Sequence, residues 1–236
     1  AAGIAHEIRN PLAAIQLYAG MAAEDLEVED ATSQEAALGN VRKIASAVRG
    51  MSAIVNDVLS FSRGTEPERV WVDASEVLDR VIAANGPGID QAQVDVVRKD
   101  LGKPPSQVFA DPGLLQQALL NLVRNAVDAM AGEQAPRVLT LDVRRDEVGV
   151  LLTVADTGPG VSEDCLDRIF NPFFTTRSTG TGLGLAIVHR IADAHGGSIA
   201  VHREPTRGGA VFVLSLPDEC EQVQGGSAEA ITQETL

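Results

Sequence analysis

Two apolar stripes in series constrain the fold of this chain most. In the first 26 residues or so, Ile4, Ile8, Leu12, Ile15, Ala19 and Ala22 recur every three or four positions. At about 100° per residue they fall on one side of a helix. Residues 27–33 are polar. Val41, Ala45, Val48, Ser52, Val55 and Leu59 then repeat the pattern to about residue 63, widened by Ile44, Met51 and Val58. The spacing predicts a hairpin of two long helices, the second opened by the capping pattern Thr32-Ser33-Gln34-Glu35. Two antiparallel helices bury both stripes poorly on their own. A second copy completing a dimeric four-helix bundle is the economical arrangement. A monomeric hairpin packed on the rest of the chain is the alternative.

Gly64-Thr65-Glu66-Pro67-Glu68 breaks the helical pattern, so residues 1–64 read as one domain and 65–71 as a linker. Helices and strands then alternate over residues 72–217. Asp73 and Glu76 form a cap pair opening a helix to about residue 84. Residues 94–98 and 107–110 read as strands. Asp111-Pro112 combines an N-cap acid with proline at the first helical position, starting a helix to about residue 131. Residues 138–144 and 148–155 are β-rich and read as a paired hairpin. A helix over 182–195 ends at Gly196-Gly197, and strands at 198–202 and 210–216 complete the sheet. The class is α+β, with an α/β sandwich carrying its helices on one face. Residues 218–236 are acidic, rich in Gly, Ser, Gln and Glu, and read as a disordered tail.

The formal charge of −14 argues against a nucleic-acid partner. Cys165 and Cys220 lie far apart, suggesting neither a disulfide framework nor a zinc cluster, and a reducing cytoplasm is the natural setting. No apolar run approaches the roughly 20 residues of a membrane span, so no membrane contact is expected of this segment. The chain starts five residues before His6, and a helix carrying a reactive residue would extend further upstream. The reading is therefore of a fragment lacking an N-terminal part, through which a whole protein could be membrane-attached.

Within the first helix, His6-Glu7-Ile8-Arg9-Asn10-Pro11-Leu12 concentrates chemistry. His6 and Asn10 fall roughly opposite the apolar stripe. Imidazole, with an ordinary pKa of roughly 6.5, is largely neutral and nucleophilic near neutrality, which makes His6 the phosphate-acceptor candidate. Glu7 can reach the imidazole N–H, fix its tautomer and accept a proton. Asn10, one turn on, can orient a water. Pro11 removes a hydrogen bond and should bend the helix beside His6. Asn121 and Asn125 lie at i and i+4, where a carboxamide oxygen can ligate Mg²⁺. Asp156-Thr157-Gly158-Pro159-Gly160 follows an apolar strand; a carboxylate there can accept from an adenine amino group while the glycines let backbone come close. Gly180-Thr181-Gly182-Leu183-Gly184 opens a helix whose N-terminal amides can hold phosphate oxygens, without the Gly-Lys-Ser/Thr of a Walker loop. Phe170, Phe173 and Phe174 precede Thr175-Thr176-Arg177 and read as a hinged lid with aromatic anchors, Thr176 and Arg177 lying against the phosphates.

In this order the motifs resemble the H, N, first glycine, F and second glycine boxes of orthodox sensor histidine kinases. The resemblance covers about residues 1–217. It implies a dimerisation and histidine phosphotransfer bundle joined to a Bergerat-type ATP-binding domain. It implies ATP and Mg²⁺ as cofactors, autophosphorylation of His6, and transfer to an aspartate of a response-regulator receiver domain. It makes Glu7 the acid/base, Asn10 the residue assisting regulator dephosphorylation, Asn125 the metal ligand and Asp156 the adenine contact. The stretch 174–180 is similar to the nitrogen-regulation subgroup, with two departures: Asn171 stands where an acid is common, and Arg177 where lysine is. Two other classes remain, a non-kinase ATPase of the same fold and a non-catalytic docking scaffold.

Overall fold

The computed structural model describes residues 2–28, 30–62, 66–99, 107–133, 136–177, 180–203 and 208–218. The tail expected to be disordered lies outside the described residues from residue 219 onward.

Helices α1 (Ala2–Glu27) and α2 (Ala31–Ser62) form the hairpin, and α1 stays continuous through Pro11. The start of α2 differs from the Thr32–Glu35 pattern. Asp30 takes the Ser33 N–H at 2.8 Å and the Ser33 hydroxyl at 3.0 Å, so the helix opens earlier, at Ala31. Asn40 is buried between the helices and donates to Asp25 at 2.9 Å. Among the described residues of the hairpin the other buried side chains are the small Ala22 and Ala37, while Leu12, Val41, Val48, Val55 and Leu59 stay exposed. Among the described residues the apolar stripes are therefore only partly covered within one chain, with Ile8, Ile15, Ile44, Met51 and Val58 half-buried.

The second unit begins with β1 (Val70–Asp73), which takes in Val70 and Trp71 at the end of the expected linker. Next come α3 (Ala74–Ala92), β2 (Asp95–Arg98), β3 (Gln107–Ala110) and α4 (Pro112–Met130). β4 (Val138–Arg145), β5 (Gly149–Ala155), α5 (Glu163–Leu166), α6 (Gly184–Ala194), β6 (Ser198–Arg203) and β7 (Ala210–Pro217) complete it. The main sheet has the order β2-β4-β5-β7-β6, with β2 parallel to β4 and the other pairs antiparallel. β1 and β3 form a separate antiparallel pair.

Helix α3 runs eight residues past the expected stop near 84, through Gly86-Pro87-Gly88. Burial of Ile89 in the core outweighs the poor helix propensity of that triplet. Gln93, at φ 52°, closes the helix.

Alternation along β7 turns Ala210, Phe212, Leu214 and Leu216 inward. Leu139, Leu141, Leu152 and Val154 do the same from β4 and β5, and Leu115, Leu119, Leu122, Ala126 and Met130 meet them from α4. Each fully buried leucine contributes about 1.5–3 kcal/mol. This packing holds α4 rigidly against the sheet with its opposite face, bearing Asn121 and Asn125, clear of the core.

Candidate active site

Helix α4 starts where Asp111 accepts the Gly113 and Leu114 N–H groups, both at 2.9 Å. Ten and fourteen residues on, at roughly 1.5 Å per residue, the same rigid helix presents its two asparagines. A Cβ placed on Gly184 would meet Asn121 Oδ1 at 3.6 Å and Asn125 Nδ2 at 3.8 Å. Both carboxamides thus converge on the start of α6. Leu183 at its N-cap makes no side-chain cap bond, and the first amides of a helix are the groups that can receive an anion.

Asp156 follows β5 and is 3% exposed. Its Oδ1 accepts from Gly158 N–H at 2.8 Å and from Ala210 N–H at 3.3 Å, which leaves Oδ2 for a ligand. Burial raises its pKa; the two backbone bonds and the charge of Arg177 pull the other way. Ile169, Phe212 and Leu185 line the cavity beside it and give a flat ring an apolar bed.

The segment expected to form a lid is pinned at its root. Phe173 sits at φ 67°, an unusual conformation for a bulky residue. Its N–H donates to the Gly182 carbonyl at 3.0 Å. Gly182 itself has φ +63°, and a Cβ there would lie 2.5 Å from the Phe173 carbonyl carbon, so only glycine fits. Phe170 and Phe174 pack on the core, and Arg168 lies over the Phe174 ring at 4.6 Å. Phe173 is exposed, so two of the three expected aromatic anchors serve as anchors.

These parts line one cavity of about 1240 Å³. Typical small-molecule sites span roughly 300–1,000 Å³. This cavity is larger because it continues from Asn121, Asn125, Asp156 and Gly184 to Asn10, Pro11 and Ala14 on α1 and to Arg49 and Gly50 on α2. Asn10 stands one helical turn from His6. The side chains of His6 and Glu7 lie outside the described residues.

Gly160, Thr176, Arg177, Gly180, Thr181 and Gly182 also line the cavity. Gly158 and Leu183 do not. The Gly158 amide is spent on Asp156, and the Leu183 side chain is 1% exposed within the core, so its part is packing. Arg177, expected on phosphate, donates to the Asn125 carbonyl at 2.8 Å and pairs with Asp128 at 3.4 Å. Burial raises the pKa of Asp128, while Arg177 and Arg124 oppose that shift. Sequence reasoning missed Arg49, Arg124, Arg203 and Asp128, all lining the cavity. Arg124 was within reach of pattern reading, since it follows Asn121 at i+3. Arg49 and Arg203 arrive only through tertiary packing.

A metal brought by a nucleotide fits this donor set. Two neutral carboxamides offer oxygen to a hard cation and leave its other positions to phosphate and water. Among the described residues, no group of three His, Cys, Asp or Glu side chains could hold a metal by itself.

Fold and site together define a nucleotide-binding α/β sandwich facing a helical hairpin. Residues 110–219 match the family described as histidine kinase-, DNA gyrase B- and HSP90-like ATPase, and residues 1–67 match the His Kinase A (phospho-acceptor) domain. The catalytic domain of histidine kinase ThkA is 30% identical, with a TM-score of 0.58 over 64% of this chain and 96% of that one. The chain belongs to the histidine kinase family. The sensor histidine kinase ZraS of Escherichia coli (strain K12) is 34% identical over 92% of this chain, which spans 44% of that relative's length. ThkA in complex with the response regulator TrrA matches 92% of this chain and 60% of that one at TM-score 0.72 and 26% identity. Full-length ShkA in complex with AMPPNP matches at TM-score 0.64 and 31% identity, over 92% of this chain and 45% of that one. No helix among the described residues is long and apolar enough to cross a membrane.

Proposed function

We propose that this chain is the core of a two-component sensor kinase that phosphorylates its own His6 from Mg·ATP and passes the phosphoryl group to a receiver-domain aspartate. The observation that carries the reading is the single cavity reaching from Asn121, Asn125 and Asp156 to Asn10, one turn from His6. Asp156 accepts the adenine amino group through Oδ2, and the amides at Gly182 and Gly184 hold phosphate oxygens. Asn125, with Asn121 beside it, is the metal ligand, and the ion supplies neutralisation of phosphate charge. Arg124 lines the phosphate end as a further cation. The unprotonated nitrogen of His6 attacks the γ-phosphorus. A P–N bond forms as the bond to the bridging oxygen breaks, and ADP leaves with that electron pair. Glu7 accepts the proton that the ring then sheds. Positioning and charge neutralisation carry most of the rate.

Five further parts belong to the proposal. The exposed stripe of Leu12, Val41, Val48, Val55 and Leu59 supports a homodimeric four-helix bundle. ThkA's complex with TrrA supports a receiver domain as partner. Asn10, exposed beside His6, orients water for dephosphorylating that partner. The 174–180 stretch points to the nitrogen-regulation subgroup, and the setting is cytoplasmic. The test is labelling with γ-labelled Mg·ATP in parallel with ADP-binding calorimetry. Label on the parent and none on a His6→Gln chain that still binds ADP is expected. ATP turnover without any label on the parent would favour a plain ATPase of the same fold.

A further inference from the structure

Two linker residues grip the place where the two nucleotide-site helices meet. The Glu68 N–H donates to Asp111 Oδ2 at 3.0 Å, and the Arg69 guanidinium donates to the Ala194 carbonyl at 2.6 Å. Asp111 is the N-cap of α4, and Ala194 is the last residue of α6. Between them lies His195, 1% exposed. Its Nε2 accepts from the Asp111 N–H at 3.0 Å, and its Nδ1 lies 2.7 Å from the Ile191 carbonyl. A backbone N–H needs a bare nitrogen and a carbonyl needs a donor, so the ring is the neutral Nδ1–H tautomer. One buried imidazole therefore joins the start of α4 to the end of α6, and the linker is bonded to both sides of that joint.

The far ends of the same helices make the nucleotide site. Asn125 lies roughly 21 Å along α4 from Asp111 at 1.5 Å per residue, and Gly184 opens α6. Packed helices move as rigid bodies, so tilting either at its nucleotide end shifts the joint that the linker holds.

We propose that Arg69, Asp111 and His195 are positioning residues that couple the interdomain linker to α4 and α6, so that nucleotide occupancy and the setting of the linker are linked. The consequence for phosphorylation rests on the kinase reading above; the coupling itself needs only nucleotide binding. Linkage makes it reciprocal: nucleotide steadies the linker, and a detached linker loosens the site's hold on the productive geometry.

The experiment is hydrogen–deuterium exchange of the full chain with and without Mg·ADP, read at residues 66–73 and 111–116, for the parent, Arg69→Ala and Arg69→Lys. Nucleotide should slow exchange in both segments of the parent and of Arg69→Lys, which keeps a donor for Ala194. In Arg69→Ala the linker segment should lose that response while calorimetry finds ADP still bound. A linker indifferent to ADP in the parent, or equally protected in Arg69→Ala, overturns the coupling. Phosphohistidine formation at saturating ATP is the second readout, with a loss on the order of tenfold expected in Arg69→Ala. A parent that never labels strikes the kinase reading alone, because exchange still decides the clasp.

Discussion

Replacing Asp156 with asparagine separates the two jobs of one carboxylate. Oδ1 holds the Gly158 and Ala210 amides, and the amide oxygen of asparagine can still accept from both, as a neutral and weaker acceptor. Oδ2 becomes an NH₂ and can no longer accept from an adenine amino group. A hydrogen bond to a charged acceptor contributes about 1.5–3 kcal/mol, so ATP and ADP affinity should fall roughly ten- to hundredfold. Stability should move the other way. Burial raises the Asp156 pKa, so the native state holds its proton more tightly than the unfolded chain does. The ionised group therefore costs stability at neutral pH, and that cost fades as pH falls through the raised folded-state pKa. Asp156→Asn removes the charge and should leave the neutral-pH unfolding midpoint unchanged or higher, with less gain on mild acidification. Calorimetry with ADP and urea unfolding at several pH values measure both. Unchanged ADP affinity would refute the assignment of Oδ2, and a large loss of stability would refute the account of Oδ1.

Asn125→Ala should abolish ATP-dependent labelling while leaving the fold intact by circular dichroism; normal labelling would remove it from the metal site. Gly182→Ala forces a Cβ to 2.5 Å from the Phe173 carbonyl carbon; a strain of about 1–3 kcal/mol should weaken nucleotide binding roughly five- to hundredfold through the displaced segment. Leu122→Ala, at a site 0% exposed, should cost about 2–5 kcal/mol in urea unfolding. Burial lowers the pKa of His195; the Ile191 hydrogen bond opposes this, the Arg69 charge adds to it, and the Asp111 charge opposes it. Its contribution is thus full above the ordinary histidine range and lost as pH falls from about 6.5; urea unfolding at several pH values would follow that loss, while the ring shifts of the folded chain should titrate below the ordinary range.

The hairpin was legible because its stripes run long enough for helical period alone to locate both helices. Caps were legible where side-chain chemistry is local, as at Asp73 and Asp111. They were misplaced where two candidates compete: Asp30 rather than Thr32 opens α2. Helix α3 outran its punctuation because burial of Ile89, a tertiary effect, outweighed Gly86-Pro87-Gly88. At the site, motif order brought Asn121, Asn125, Asp156 and the 180–184 loop to one cavity. The pairing of Arg177 with Asp128 was invisible, since nothing in a one-dimensional pattern joins two residues 49 positions apart. His195 was read as the end of a helix; its role depends on Asp111, 84 positions away in sequence.

The central claim is that His6 carries the phosphoryl group, and the chemical stability of the bound phosphate tests it most directly. The chain is incubated with γ-labelled Mg·ATP, separated from nucleotide, and exposed to acid and to base. A phosphoramidate on imidazole is lost in acid and survives base, so the account predicts acid-labile, base-stable label on the parent and none on His6→Gln. Acid-stable label, or label persisting on His6→Gln, would contradict it.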